Sequence, residues 1–270
     1  MGLILRLRKY EQGLSNASVK KIYAILNSAL NKAVLSDLII KNPLKGIELS
    51  DVDSEEVHIF TKEEQSAFQN AIKGSYFYEL FMTSLFTGLR IGEVTALKWE
   101  NVDLENSIIK VRLTSARVKN YTSQSDSKTT ISLQTPKTKA SIRSVPTPKP
   151  LLEILKMHRI SQQNKAEAFR KNNMSFNEQG FVFCTVNGNI IDNRNVMRAF
   201  HNILKKNSLP DYNLHSLRHT YASRLLEKGY SLRHISELLG HKDVAFTART
   251  YAHVLPEELK KSVDSLEDLF

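Results

Sequence analysis

The sequence predicts an α+β fold in which helices dominate, and three observations carry that reading. Apolar residues recur three and four apart over long stretches on either side of the middle of the 270-residue chain. Three short β-rich runs, 108–113, 130–133 and 142–145, lie close together in that middle. Gly88, Gly229 and Gly240 stand where helical patterns stop. Together they describe helices around a small antiparallel sheet.

In chain order, Val19, Ile22, Leu26, Leu30 and Ala33 give a helix over 15–35 with Ser15 or Asn16 as its cap, and Asn42-Pro43 ends that unit. The acidic stretch with Asp51, Asp53, Glu55 and Glu56 reads as a linker, placed at 51–60 between a helical unit (1–50) and a larger domain (61–255). Thr61 and Glu64 have capping-box spacing. Residues 76–87 are apolar nearly all round, which predicts a buried helix ending at Gly88, and Ile91, Val94 and Leu97 predict a second helix at once. Arg90 then stands at a helix–helix corner. The polar stretch 118–129 reads as an exposed loop, and Pro136-Lys137-Thr138-Lys139 as a hairpin turn. Helices are expected over 150–171, 193–207, 214–228 and 231–239, followed by a stretch carrying Tyr251. Leu259, Val263, Leu266 and Phe270 predict a tail helix within 256–270.

Hydrophobic content of 41% and charged content of 24% are ordinary for a globular chain. The 38 Lys+Arg against 28 Asp+Glu are not, and a net charge of +10 suits a polyanionic partner such as nucleic acid. The single cysteine, Cys184, excludes an internal disulfide and a cysteine metal cluster, and its apolar neighbours predict a buried small side chain. No run reaches the ~18 apolar residues of a membrane span. Arg6, Arg8 and Lys9 interrupt the apolar start, so a cytoplasmic protein without a membrane partner is expected.

The chemistry-bearing residues are two arginines, two histidines and a tyrosine. His215 and Arg218 are three apart and share a helix face near a helix start, where amide dipoles favour a phosphate. His219 points about 100° away and fits that face less well. Arg90, flanked by apolar helices, needs an anion, and Glu93 one turn on is either that partner or its orienting group. His241 follows a helix-ending glycine, and Tyr251 supplies a phenol that can attack phosphorus. No acidic cluster accompanies them, so neither a metal nor another cofactor is expected. Lys137, Lys139 and Arg143 form a basic turn suited to gripping phosphates, or to protonating a leaving oxygen.

Taken as an ordered set, these residues resemble the tyrosine recombinases of the phage-integrase family, the kind found in phages and conjugative transposons. The likeness rests on Thr87-Gly88-Leu89-Arg90-Ile91-Gly92-Glu93, Pro136-Lys137-Thr138-Lys139, Leu214-His215-Ser216-Leu217-Arg218-His219-Thr220 and Leu238-Leu239-Gly240-His241, with Tyr251-Ala252-His253 beyond. It covers about 60–260 strongly, and 14–45 resembles the end of the family's helical core-DNA-binding domain. The resemblance implies a site-specific recombinase that cuts and rejoins DNA through a 3′-phosphotyrosine, integrating or excising a mobile element. In it Tyr251 is the nucleophile and Arg90 and Arg218 clamp the phosphate. His215 and His241 complete the pocket, and Glu93 supports it. Lys137 is the general acid, with Lys139 in reserve. Lys139, Arg143, Lys20 and Lys21 are expected to touch DNA. The implied partners are double-stranded recombination sites, a homotetramer joined through the tail, and an accessory excision factor. A type IB-like topoisomerase and a silent DNA-binding fragment are the alternatives. The chain begins inside the core-binding pattern, as expected of a fragment or gene remnant.

Overall fold

The computed structural model describes residues 14–47, 49, 57–120, 129–136 and 138–251. The chain divides into two compact units, Met1–Glu56 and Val57–Phe270.

In the first unit α1 runs Asn16–Leu35, and the Ser15 hydroxyl caps it by accepting from the Ser18 amide at 3.3 Å. Asn42, before the helix-breaking Pro43, folds back on α1. Its Nδ2 donates to the side-chain oxygens of Asn27 and Asn31 at 2.7 and 2.6 Å, so a nearly buried amide is satisfied. Lys20 and Lys21 stand on this helix, half-buried and exposed respectively.

The second unit opens with α2 (Lys62–Ala71), where the expected capping box is present: the Thr61 amide donates to Glu64 at 2.8 Å and the Glu64 amide to the Thr61 hydroxyl at 3.1 Å. Next come α3 (Tyr78–Thr87) and a single-turn α4 (Ile91–Thr95). Leu97, expected inside that helix, lies beyond its end but is buried. Phe60, Phe68, Phe81 and Phe200 form the aromatic centre of the core, with ring centroids 5.3 to 6.4 Å apart.

The β structure is small and antiparallel, as expected, and is divided into two sheets. β1 (Val102–Asp103), β2 (Ile108–Val111) and β5 (Arg143–Pro146) form one antiparallel sheet in the order β1-β2-β5, and β3 (Thr114–Lys119) pairs with β4 (Thr129–Gln134) in a second. Part of the stretch read as a loop is therefore β3. Its buried residue is Ser115, so no apolar alternation marks it. Nor do the strands on either side of the expected hairpin turn pair with each other. β4 pairs with β3, Ser115 opposite Leu133, and β5 with β2, Ile109 opposite Val145, and a 3-10 turn, Lys139–Ser141, precedes β5.

Helices α5 (Lys149–Lys171), α6 (Asn193–Lys206), α7 (Ser216–Glu227), α8 (Leu232–Leu239) and α9 (Val244–Thr250) complete the unit. The amide of Phe60 donates to the Thr220 hydroxyl at 3.0 Å, and Arg224 donates to the Phe60 carbonyl at 2.7 Å, fixing the chain entry on α7. A smaller apolar cluster of Ala222, Leu226, Ile235, Leu239 and Tyr251 joins α7, α8 and the end of α9. Cys184 is half-buried rather than fully buried. Burial pushes its thiol up, while a hydrogen bond from Gln162 opposes this. Among the described residues no helix is long and apolar enough to cross a membrane. The tail helix lies outside the described residues.

Candidate active site

Two helices end at one place. α3 stops at Gly88 (φ 62°) and α8 at Gly240 (φ 67°), both in the left-handed conformation that glycine adopts without strain. Helix C-termini carry unpaired carbonyls and partial negative charge, so a cation is stabilised between them. Arg218, on the first turn of α7, is that cation. It is 2% exposed, and its Nη1 donates to the Gly88 carbonyl at 2.7 Å and its Nη2 to the Leu239 carbonyl at 2.5 Å. Burial, and then repulsion from Arg90, pull its guanidinium down to about 9, which leaves it charged at neutral pH.

Two residues after Gly88, Arg90 occupies the N-cap of α4. Its amide donates to Glu93 Oε2 at 2.9 Å and its Nη1 to Oε1 at 2.9 Å. The Arg90 side chain keeps 36% of its surface in solvent, whereas that of Glu93 keeps 3%. Glu93 also accepts from Arg143 Nη2 at 2.9 Å and Nη1 at 3.1 Å. Burial pushes the Glu93 carboxyl up, but the hydrogen bonds and charge of Arg143, helped by Arg90, overcome this and hold it below the ordinary carboxylate value.

His215 immediately precedes α7 and keeps part of its surface in solvent. Desolvation, then the charges of Arg218 and Arg90, pull its imidazole down to about 4. His241, two residues past Leu239, is pulled down to about 3 by desolvation and by Arg218, Arg90 and His215. Its Nδ1 lies 2.8 Å from the hydroxyl of the buried Thr247, which fixes the ring. The same cations thus perturb both histidines, and each is neutral at pH 7. Tyr251, at the end of α9, is wholly buried, and burial raises its phenol well above the ordinary value against the opposing charge of Arg218.

The structure therefore brings Arg90, Glu93, His215, Arg218, His241 and Tyr251 together and changes the place of two other residues. Arg143 was expected on a DNA-facing turn. It is 6% exposed and faces inward, because its guanidinium neutralises Glu93. His219 was expected off the site, yet its Nδ1 lies 2.9 Å from the Tyr251 hydroxyl and its ring is 4.6 Å from that of His215. The periodicity of α7 does not contain this, since the tyrosine arrives from another helix. Lys137 and the side chain of Lys139 lie outside the described residues.

Two arginines, one of them bonded to a buried carboxylate, with two neutral imidazoles and a phenol can serve a phosphodiester: cations for the oxygens, nitrogens for hydrogen bonds and an oxygen nucleophile. The model of the phage integrase family matches residues 58–258. The chain belongs to the phage integrase family.

Among its family relatives is a XerC-like tyrosine recombinase of Caldanaerobacter subterraneus subsp. tengcongensis, 35% identical over 97% of this chain and 68% of the relative. The ICEBs1 integrase of Bacillus subtilis is 29% identical over 96% of this chain and 67% of its own length. The chain thus spans about two thirds of these relatives. The fold is also that of the Tn1549 transposon integrase solved in complex with a circular intermediate DNA. The TM-score is 0.76 and identity 23%, covering 97% of this chain and 83% of that one. Membership of this family makes the chain a tyrosine-type recombinase and does not favour the topoisomerase reading.

Proposed function

We propose that this chain cuts and rejoins double-stranded DNA at a specific site in order to integrate or excise a mobile element. The observation that carries the reading is Arg218, held between two helix C-termini with Arg90, His215, His241 and Tyr251 around it. Arg90 and Arg218 bind the non-bridging oxygens of the scissile phosphate and neutralise the charge that grows on them. Tyr251 forms a bond to phosphorus while the bond from phosphorus to the 5′ oxygen breaks. The phenol proton passes to water, and the departing 5′ oxygen takes a proton from the Lys137 ammonium. His215 and His241, both neutral, hydrogen-bond the phosphate oxygens. The phosphotyrosine conserves the energy of the broken ester, so a second 5′ hydroxyl can reverse the step.

The relatives extend this reading. One relative is the ICEBs1 integrase and another the transposase from transposon Tn916, and the Tn1549 neighbour was solved on DNA. Lys20 and Lys21 on the exterior of α1, with Lys139, suit backbone phosphates. A homotetramer joined through the tail, an accessory excision factor and residence on the nucleoid of a bacterial cytoplasm belong to the same proposal.

The test is a nicked duplex carrying the recombination site from the flanks of the element. Wild-type protein accumulates a covalent DNA adduct that resists denaturation, and Tyr251→Phe does not. Binding without an adduct by the wild type would instead make this a silent DNA-binding protein.

A further inference from the structure

The site contains a second buried arginine whose partners come from three parts of the fold. Arg143 begins β5 with its side chain 6% exposed. Besides its two bonds to Glu93, its Nε donates to the Leu238 carbonyl at 2.6 Å and its Nη1 to the Ser141 carbonyl at 3.2 Å. Leu238 lies next to Leu239, whose carbonyl holds Arg218, and three residues before His241. Gly240 completes the contact: a Cβ there would stand 2.9 Å from the Ala140 carbonyl oxygen and 3.0 Å from Arg143 Cδ. The turn before Arg143 is thus pressed on the end of α8 and tied through the arginine to Glu93.

Among the described residues of that turn, few other contacts fix it. Ser141 N donates to the Thr138 carbonyl at 3.1 Å and the two hydroxyls are 2.9 Å apart, but Ile142 is 41% exposed and no apolar side chain of the turn is buried. Lys137 immediately precedes Thr138 in the chain. A buried guanidinium is costly unless its donors are met, and the Ser141 carbonyl, one of the acceptors of Arg143, belongs to the turn itself.

We infer that Arg143 is a positioning residue that sets the lysine-bearing turn against the phosphate clamp, rather than a contact to DNA. One guanidinium fork joins the turn to the carboxylate that orients Arg90 and to the helix end that holds Arg218. The inference rests on the reading of Lys137 as the general acid. Its consequence concerns one step: as the bond from phosphorus to the 5′ oxygen breaks, the electron pair left on that oxygen takes a proton from the Lys137 ammonium. A 5′-bridging sulfur leaves as a stable thiolate without that proton, so a phosphorothiolate substrate isolates the acid.

The experiment compares cleavage of the nicked site with oxygen or sulfur at the bridging position by full-length wild type, Lys137→Ala and Arg143→Lys. Lysine preserves the charge opposite Glu93 but cannot reach all four acceptors. Arg143→Lys is expected to cleave the oxygen substrate about 10²-fold more slowly than wild type, the scale of a misplaced catalytic group, and the sulfur substrate within about threefold. Equal slowing on both substrates, or none, overturns the positioning role. If Lys137→Ala is rescued by sulfur and Arg143→Lys is not, that role alone fails. If Lys137→Ala is itself not rescued, the acid assignment fails and takes the inference with it. Should Arg143→Lys not fold, Glu93→Gln combined with Arg143→Gln removes both buried charges together. The ratio of sulfur to oxygen rates decides there as well, since damage to the arginine clamp slows both substrates alike.

Discussion

The hydroxyl of Tyr251 lies 2.9 Å from Nδ1 of His219, in a pocket that leaves the tyrosine no exposed surface. Ala222 and Leu226 of α7 and Ile235 and Leu239 of α8 pack around the same pocket. A phenol in this position cannot meet a DNA phosphate, so Tyr251 must leave these apolar neighbours before it attacks. The His219 bond and the packing oppose that exit.

The bond itself is measurable by a double-mutant cycle. Tyr251→Phe and His219→Phe should each lower stability, and the coupling between them should be about 1 kcal/mol, as for a net hydrogen bond. Urea denaturation of the four proteins supplies the number. Coupling near zero would mean that the pair is not joined in solution.

Arg90 and Arg218 should separate activity from stability. Removing either cation from the transition state is expected to slow strand cleavage by about 10²–10³-fold. Arg90→Ala leaves Glu93 bonded to Arg143, and Arg90 is about a third exposed, so its loss should lower stability by less than about 1 kcal/mol. Arg218→Ala strands the carbonyls of Gly88 and Leu239 in a buried place, at roughly 1–3 kcal/mol per group. Equal denaturation midpoints for the two variants would contradict this division.

How far the sequence carried this picture depended on whether a signal was local. The Thr61–Glu64 cap, the buried helix before Gly88 and the identity of Arg90, Arg218, His215, His241 and Tyr251 all follow from spacing within one stretch, or from family motifs within one stretch. What failed was information shared between stretches. β3 carries a buried serine instead of a buried valine, so its pairing with β4 has no alternating pattern. Arg143 looks like any basic turn residue until β5 pairs with β2 and turns it toward Glu93. His219 becomes part of the site only because α9 ends beside α7.

Gly88 offers a test of the helix junction that does not involve the reacting groups. A Cβ there would stand 2.5 Å from Tyr221 Cδ1 and 3.0 Å from Leu239 Cδ2, at a φ of 62° that side chains rarely adopt. Gly88→Ala should therefore lower stability by about 1–3 kcal/mol, combining backbone strain with overpacking. Because Gly88 also supplies a carbonyl to Arg218, cleavage should fall with it. A variant as stable as wild type would show that α3 and α7 are less closely packed than this geometry requires.

The two histidines give the protein a pH dependence of predictable sign. In the folded state His215 is pulled from 6.5 to about 4, and His241 from 6.5 to about 3. Between the ordinary value and these, the unfolded chain binds protons that the folded chain refuses, so stability falls as pH drops from 6.5 toward 4 and, for His241, toward 3. Glu93 acts in the same direction, since its carboxyl is held low, but only below the ordinary 4.5. The window from about pH 6.5 to 5 therefore belongs to the histidines. Denaturation midpoints across that window should decline in the wild type, and His215→Asn combined with His241→Asn should flatten the decline. A phosphate bound between Arg90 and Arg218 offsets the charges that depress both rings, so cognate DNA should also shrink the slope. If the slope persists undiminished in the double variant, these two rings are not its source.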